Sequence, residues 1–142
     1  METIEKTIVS ISVRVNAPVK KVWEYWTTPA DIIHWCNGSA DWHTPRAEND
    51  LRVGGKFLTR MEAKDGSMGF DFEGIYNSIK TNELIEYVIG DGRKVKIQFT
   101  SRDNKTEIFE AFETESTNSV EMQRSGWQTI LDNFKNYVET KK

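Results

Sequence analysis

The chain has one cysteine, two histidines and no long apolar run, and each shortage excludes something. A single thiol, Cys36, rules out an intrachain disulfide framework. No segment is apolar enough to span a bilayer, so membrane insertion is not expected. The opening residues, METIEKTIVS, carry early acids and lack the uninterrupted apolar stretch of a signal peptide. A reduced, cytoplasmic setting is the expectation. Basic tracts are missing too: 19 Lys and Arg against 22 Asp and Glu leave a net charge of −3. Nucleic acid is therefore not an expected partner.

Metal and phosphate chemistry are equally thin. His34, Cys36 and His43 lie close together with Asp41 nearby, but structural zinc wants about four ligands at a recognisable spacing. No metal is expected, and Cys36 reads as a small buried thiol beside two rim or surface histidines. Gly54-Gly55 belongs to no GxxxxGK[ST] run and to no GxGxxG-then-helix pattern. These glycines read instead as a bend before a strand, and no cofactor is expected.

What the chain does hold is aromatic surface: five Trp, seven Phe and four Tyr in 142 residues, enough for the core and the wall of a pocket in one domain spanning 1–142. Residues 7–15 alternate, with Thr7, Val9, Ile11, Val13 and Val15 on one face of a strand. Pro18 follows, with Asn16 as a nearby helix cap. Val19, Val22, Trp23 and Trp26 recur at helical spacing, which predicts a short helix over about 18–27. Pro29 ends it, and Ala30–Trp35 adds a further turn. Residues 37–53 read as irregular or weakly extended.

From Lys56 onward, alternating runs are separated by short polar links: Asp65-Gly66, Thr81-Asn82, Asp91-Gly92 and Asp103-Asn104. This spacing predicts an antiparallel meander of strands at 56–63, 70–79, 84–89, 94–100 and 106–114. Phe57, Thr59 and Met61 share a face, as do Phe70, Phe72, Gly74 and Tyr76. Ile85, Tyr87 and Ile89 form a third row, and Val95, Ile97 and Phe99 a fourth. The last strand is ambiguous, because Ile108 and Phe112 oppose Phe109 and Ala111. If Ile108 and Phe112 face inward, Glu110 does too, and a buried carboxyl must be paired, hydrogen-bonded or protonated.

Residues 119–142 predict one long helix with an apolar row of Met122, Gly126, Ile130, Phe134 and Val138, flanked by Trp127, Leu131 and Tyr137. Asn118 with Glu121 has the spacing of a cap and its partner. Gly126 reads as a point of close approach to a neighbour. The fold class is α+β: a curved antiparallel sheet of about six or seven strands wrapped round a C-terminal helix.

The segments NAPVKKVWEYWTTPADIIHW (16–35), DWHTPRAENDLRVGGKF (41–57), FDFEGIY (70–76), DGRKVKIQF (91–99) and EMQRSGWQTILDNFKNYVE (121–139) occur in order across nearly the whole chain. Together they resemble the START-like helix-grip superfamily, and within it proteins named for the activator of heat-shock-protein-90 ATPase. The resemblance implies a sheet gripping the terminal helix, two short helices between the first two strands, and a cavity between sheet and helix. It implies no single activity, since the superfamily includes lipid and hormone carriers, polyketide cyclases and co-chaperone domains.

The expected function is binding of a small, largely apolar ligand in that cavity. Expected ligand-binding residues are Trp35, His43, Phe57, Met61, Phe72, Tyr76, Tyr87, Ile97, Phe99, Glu110, Phe112, Trp127, Ile130, Leu131 and Phe134. Glu110, His43, Tyr76 and Tyr87 supply the polar contacts, and Trp35 with Trp42 flanks the Cys36–Ala40 link at the mouth, either as a lid or as packing of that link onto the body. One alternative is a polyketide cyclase-like or hydrolase-like enzyme using Glu110 with His43. Another is a co-chaperone-like interaction module with a chaperone as partner. Catalytic residues are not assigned.

Overall fold

The computed structural model describes residues 7–37 and 40–141. The opening METIEK and two residues of the Cys36–Ala40 link lie outside them. Seven strands form one antiparallel sheet: β1 (Ile8–Val15), β2 (Trp42–Asn49), β3 (Lys56–Ala63), β4 (Gly69–Lys80), β5 (Leu84–Ile89), β6 (Lys94–Arg102) and β7 (Lys105–Glu113). Their order is β1-β7-β6-β5-β4-β3-β2. Two short helices, α1 (Val19–Thr27) and α2 (Pro29–Trp35), follow β1, and α3 (Val120–Thr140) closes the chain.

The meander forms where the alternation and polar links require it. Gly66 and Gly92 take the positive φ of tight turns, as do Asn82, Asp103 and Asn104. Inward rows are buried on β1, β3, β5 and β6: Val9, Ile11 and Val15; Phe57, Thr59 and Met61; Ile85, Tyr87 and Ile89; Val95, Ile97 and Phe99; on β4 Tyr76 is buried while Phe70 is exposed. On β7 the ambiguity resolves with Ile108, Glu110 and Phe112 buried and Phe109 outward. Register shifts between Tyr76 and Ser78, so a bulge changes the phase of β4 after its inward Tyr76.

The stretch read as irregular contains a true strand, β2. Its sequence, WHTPRAEN, has no apolar alternation, and it forms an edge strand paired only to β3. Pro45 sits inside the register shift between His43 and Arg46, where the ladder does not need its missing N–H. Gly54-Gly55 makes the expected bend. The Gly54 N–H donates to Tyr76 O at 2.8 Å, and Gly55 O accepts from Tyr76 N at 3.0 Å.

Helix boundaries correct two expected caps. Pro18, not Asn16, precedes α1, and no side chain caps it; the Asn16 N–H instead donates to Glu139 Oε2 at 2.8 Å. At α3 the cap is Ser119, whose Oγ accepts from Met122 N at 3.1 Å, rather than Asn118.

The expected row of α3 holds toward its C-terminal end, where Phe134 and Val138 are buried, and fails at its start. Met122 is 63% exposed, Gly126 is exposed with open space around it, and the buried positions are Gln123, Leu131, Phe134 and Val138. Gly126 therefore serves no close approach. At the start of the helix Gln123 is buried and binds the preceding loop. Its Nε2 donates to Glu115 O at 3.0 Å and Asn118 O at 2.9 Å, while its Oε1 accepts from Glu115 N at 2.9 Å.

Close approach occurs at Gly74 instead. A Cβ there would lie 2.7 Å from Val88 O and 2.8 Å from the Phe57 ring. Gly74→Ala should therefore destabilise the fold by roughly 1–3 kcal/mol, the usual cost of overpacking. Urea unfolding measures this, and a loss below about 0.5 kcal/mol would contradict the tight seat of Phe57.

Candidate functional site

Two supports hold the sheet open. Helix α3 packs along β1, and α2 packs along β2, while β3, β4 and β5 have no close helical neighbour. The aromatic face of those middle strands therefore looks into space rather than onto a helix. The result is a cavity of about 390 Å³, at the small end of ligand pockets. Phe57, Thr59 and Met61 of β3, Phe70, Phe72 and Tyr76 of β4, and Ile85 and Tyr87 of β5 form its floor. Gln123, Trp127 and Ile130 of α3 close one side; Trp26, Ile32, Trp35 and Cys36 close another.

Glu110 enters this space because β7 has period two. With Ile108 and Phe112 inward, residue 110 must face inward as well. It sits between Ile11 of β1 and Ile97 of β6. Only 6% of it is exposed, and its carboxyl has no hydrogen-bond or ion-pair partner among the described residues. Burial alone pushes its pKa up to about 8, so the free protein carries this acid mainly protonated at neutral pH.

Two further protic groups stand near it. Burial pushes the Cys36 thiol up to about 12, with the Glu110 charge adding to the effect. No thiolate is present at neutral pH, so Cys36 is an inert lining group. The Tyr87 hydroxyl is raised by burial and then by Glu110, and it too lacks a hydrogen-bond partner among the described residues. Tyr76 differs: its hydroxyl donates to Asn49 Oδ1 at 2.5 Å, and Asn49 Nδ2 donates to Thr27 O at 2.7 Å. That chain fixes both side chains in the wall.

Of the residues expected at the site, Trp35, Phe57, Met61, Phe72, Tyr76, Tyr87, Glu110, Trp127 and Ile130 line the cavity. The other six do not. His43 lies on the edge strand, faces outward, and stands 3.7 Å from Glu62. Phe112 is inward but covered, because the Trp127 ring stacks on it at 4.0 Å and 9°. Phe99 lies under Trp23 and Trp26, with ring centroids at 5.3 and 5.7 Å. Phe134 lies behind Trp26 and Trp35, at 4.8 and 4.9 Å. Ile97 and Leu131 are fully packed core.

Of the two roles open to Trp35 and Trp42, packing onto the body is the one observed. Trp35 is 4% exposed and its Nε1 donates to Tyr25 O at 3.1 Å. Trp42 packs against Phe70 outside the lining. Thr59 could have been named from its place between Phe57 and Met61. Asn49 carried no signal, since its strand showed no pattern. No group of three or more metal-ligating side chains occurs among the described residues. Nor, among them, is any helix long and apolar enough to cross a membrane.

With this geometry in hand, comparison with known proteins is informative. Residues 16–139 match the family described as Activator of Hsp90 ATPase homolog 1-like protein. The chain belongs to that family. A protein of the same description from Aeromonas hydrophila, solved in solution, is 41% identical. Its TM-score is 0.85, with 92% of each chain covered. A solution structure from Cytophaga hutchinsonii is 56% identical with a TM-score of 0.80, covering 92% of this chain and 90% of the other. A Staphylococcus aureus protein of unknown function shares the fold at 20% identity and a TM-score of 0.73, with 97% and 98% covered. No match was found among curated proteins. The Activator of Hsp90 ATPase homolog 1-like family thus accounts for the helix-grip architecture, including α1 and α2 between β1 and β2.

Proposed function

We propose that this protein binds a small, largely apolar molecule between β3–β5 and the N-terminal half of α3. The observation that carries the reading is the cavity of about 390 Å³, walled by aromatic rings, into which the unpartnered Glu110 carboxyl faces. A cavity needed only for packing has no use for an unpaired acid, whose burial costs stability. Enclosure of an apolar ligand releases water from both surfaces, and the polar groups at Glu110 and Tyr87 orient it. A two-ring molecule hiding about 200 Å² of apolar surface gains roughly 5 kcal/mol before ordering costs, so micromolar or weaker affinity is expected for simple probes.

Naphthylethanol, neutral and compact, is a suitable probe. Its titration should change tryptophan emission saturably, because Trp127, Trp26 and Trp35 line the cavity. Met61→Trp fills the space from β3, where Met61 is 7% exposed, and should weaken binding at least about tenfold while leaving a folded protein. Unchanged affinity in that variant, with its fold verified by circular dichroism, would place the ligand elsewhere and overturn the reading. The outward direction of His43 removes the partner that an acid–base enzyme built on Glu110 and His43 requires.

A further inference from the structure

We infer that the cavity selects a cationic ligand: a primary or secondary amine on a compact aromatic or apolar body, its ammonium group seated against Glu110. This inference rests on the cavity-binding reading above and names the chemistry of its ligand. The sign of charge in the lining is the first argument. Two carboxylates, Glu48 and Glu115, and the carboxyl of Glu110 share the lining with one basic group, Arg93, and Glu115 is already held by the N–H groups of Thr117 and Asn118. Arg93 is already held by Asp91, with Nε at 3.0 and 2.8 Å from the two carboxylate oxygens. His43 points away from the cavity. An anionic ligand would find no free counter-charge there among the described residues.

The second argument is the missing partner of Glu110. Strands on either side place Ile11 and Ile97 beside it, and α3 presents Trp127 and Ile130 to the cavity. The titratable groups that face it are Cys36 at the end of α2 and Tyr87 on β5, with Tyr76 of β4 acting on Tyr87. None of these can be a cation. An ammonium group supplies the absent charge and several N–H donors, which the Glu110 oxygens and the Tyr87 hydroxyl oxygen can accept. The Phe57 and Tyr87 rings, 4.7 Å apart and near perpendicular, add a cation–π surface beside the acid.

The proton balance follows directly. Free Glu110 is mainly protonated at pH 7; seating an ammonium ion requires its carboxylate form, so the carboxyl proton leaves to solvent. With its pKa raised to about 8 by burial, this costs only about tenfold in affinity at pH 7. Amine binding should therefore release close to one proton per ligand and tighten as pH rises from 6 toward 8. Cys36 and Tyr87 stay protonated across that range and contribute nothing to it.

Three shape-matched probes test the inference by calorimetry at pH 7: naphthylethylamine, naphthylethanol and naphthylacetate. The amine should bind at least about tenfold tighter than the alcohol, and the acetate weakest. In two buffers of different ionisation enthalpy, the amine should show proton release and the alcohol none. Glu110→Gln should erase most of the amine's advantage over the alcohol and abolish the proton release. If that variant fails to fold, proton release by the unmodified protein decides alone. Alcohol binding as tight as amine binding, or amine binding without proton release, overturns the cationic-ligand inference but leaves the cavity reading standing. No binding of any probe overturns both.

Discussion

Glu110→Gln is expected to make this protein more stable at pH 8 by on the order of 3–4 kcal/mol, while changing it little at pH 5. The sign follows from the raised pKa. Glu110 takes its proton near pH 8 when folded, against an ordinary 4.5 when unfolded. Between those limits the native state holds a proton that the unfolded chain releases. Stability is therefore full below the unfolded value and falls by up to about 1.4 kcal/mol per pH unit as pH rises toward 8. The carboxylates of Asp65, Glu115 and Glu139 are shifted the other way, by hydrogen bonds to Ser67, Asn118 and Lys135 respectively. Their contribution is lost only as pH falls below the usual carboxylate range, outside this window. Urea midpoints at pH 5, 6, 7 and 8 separate the two. The unmodified protein should lose stability across the series, and the glutamine variant should stay nearly flat. Parallel curves would mean that Glu110 reaches water or a partner when folded.

Phe134→Ala carries the second large effect, a loss of about 3–5 kcal/mol. Phe134 is completely buried on α3, and its ring meets Trp26 and Trp35 edge-on at 4.8 and 4.9 Å. Removing it leaves a void that those rings cannot close without giving up their own contacts. Trp35 is additionally held by its hydrogen bond to Tyr25 O. Because Trp26 and Trp35 form one wall of the cavity, the same substitution should weaken naphthylethanol binding. Phe134→Leu should cost clearly less, since most of the volume is kept. Urea unfolding at pH 5, where Glu110 is protonated in the native state, measures both. A loss below about 1 kcal/mol for the alanine variant would contradict the packing described for α3.

The strands were legible because their physics is local. Val95, Ile97 and Phe99 alternate with Lys94, Lys96 and Gln98, and only one phase buries the apolar row. β2 was not legible, because WHTPRAEN carries no apolar alternation and Pro45 interrupts it. On α3 two overlapping stripes fit one period, and Met122 is as apolar as Trp127. At the N-terminal end the buried position is Gln123, whose amide binds the backbone groups of Glu115 and Asn118, a contact that no apolar pattern marks. The cavity was half legible. Strand phase told which side chains face inward, including Glu110 once Ile108 and Phe112 were placed. It did not tell which inward residues are covered. Phe112 and Phe72 look alike in sequence, yet Trp127 lies flat on the first and meets the second only edge-on at 6.1 Å. His43 was misplaced because nothing in its own strand marked the outward direction.

The central claim is that a small molecule occupies the space between the middle strands and the first half of α3. An amide and methyl NMR titration with naphthylethanol tests it most directly. Saturable shifts should concentrate on Met61, Ile85 and Ile130, with the indole N–H of Trp127 among the largest, and should spare the outward Ile75 and Phe109. Shifts confined to the outer face of the sheet, or none at concentrations well above those of other apolar-site binders, would contradict it.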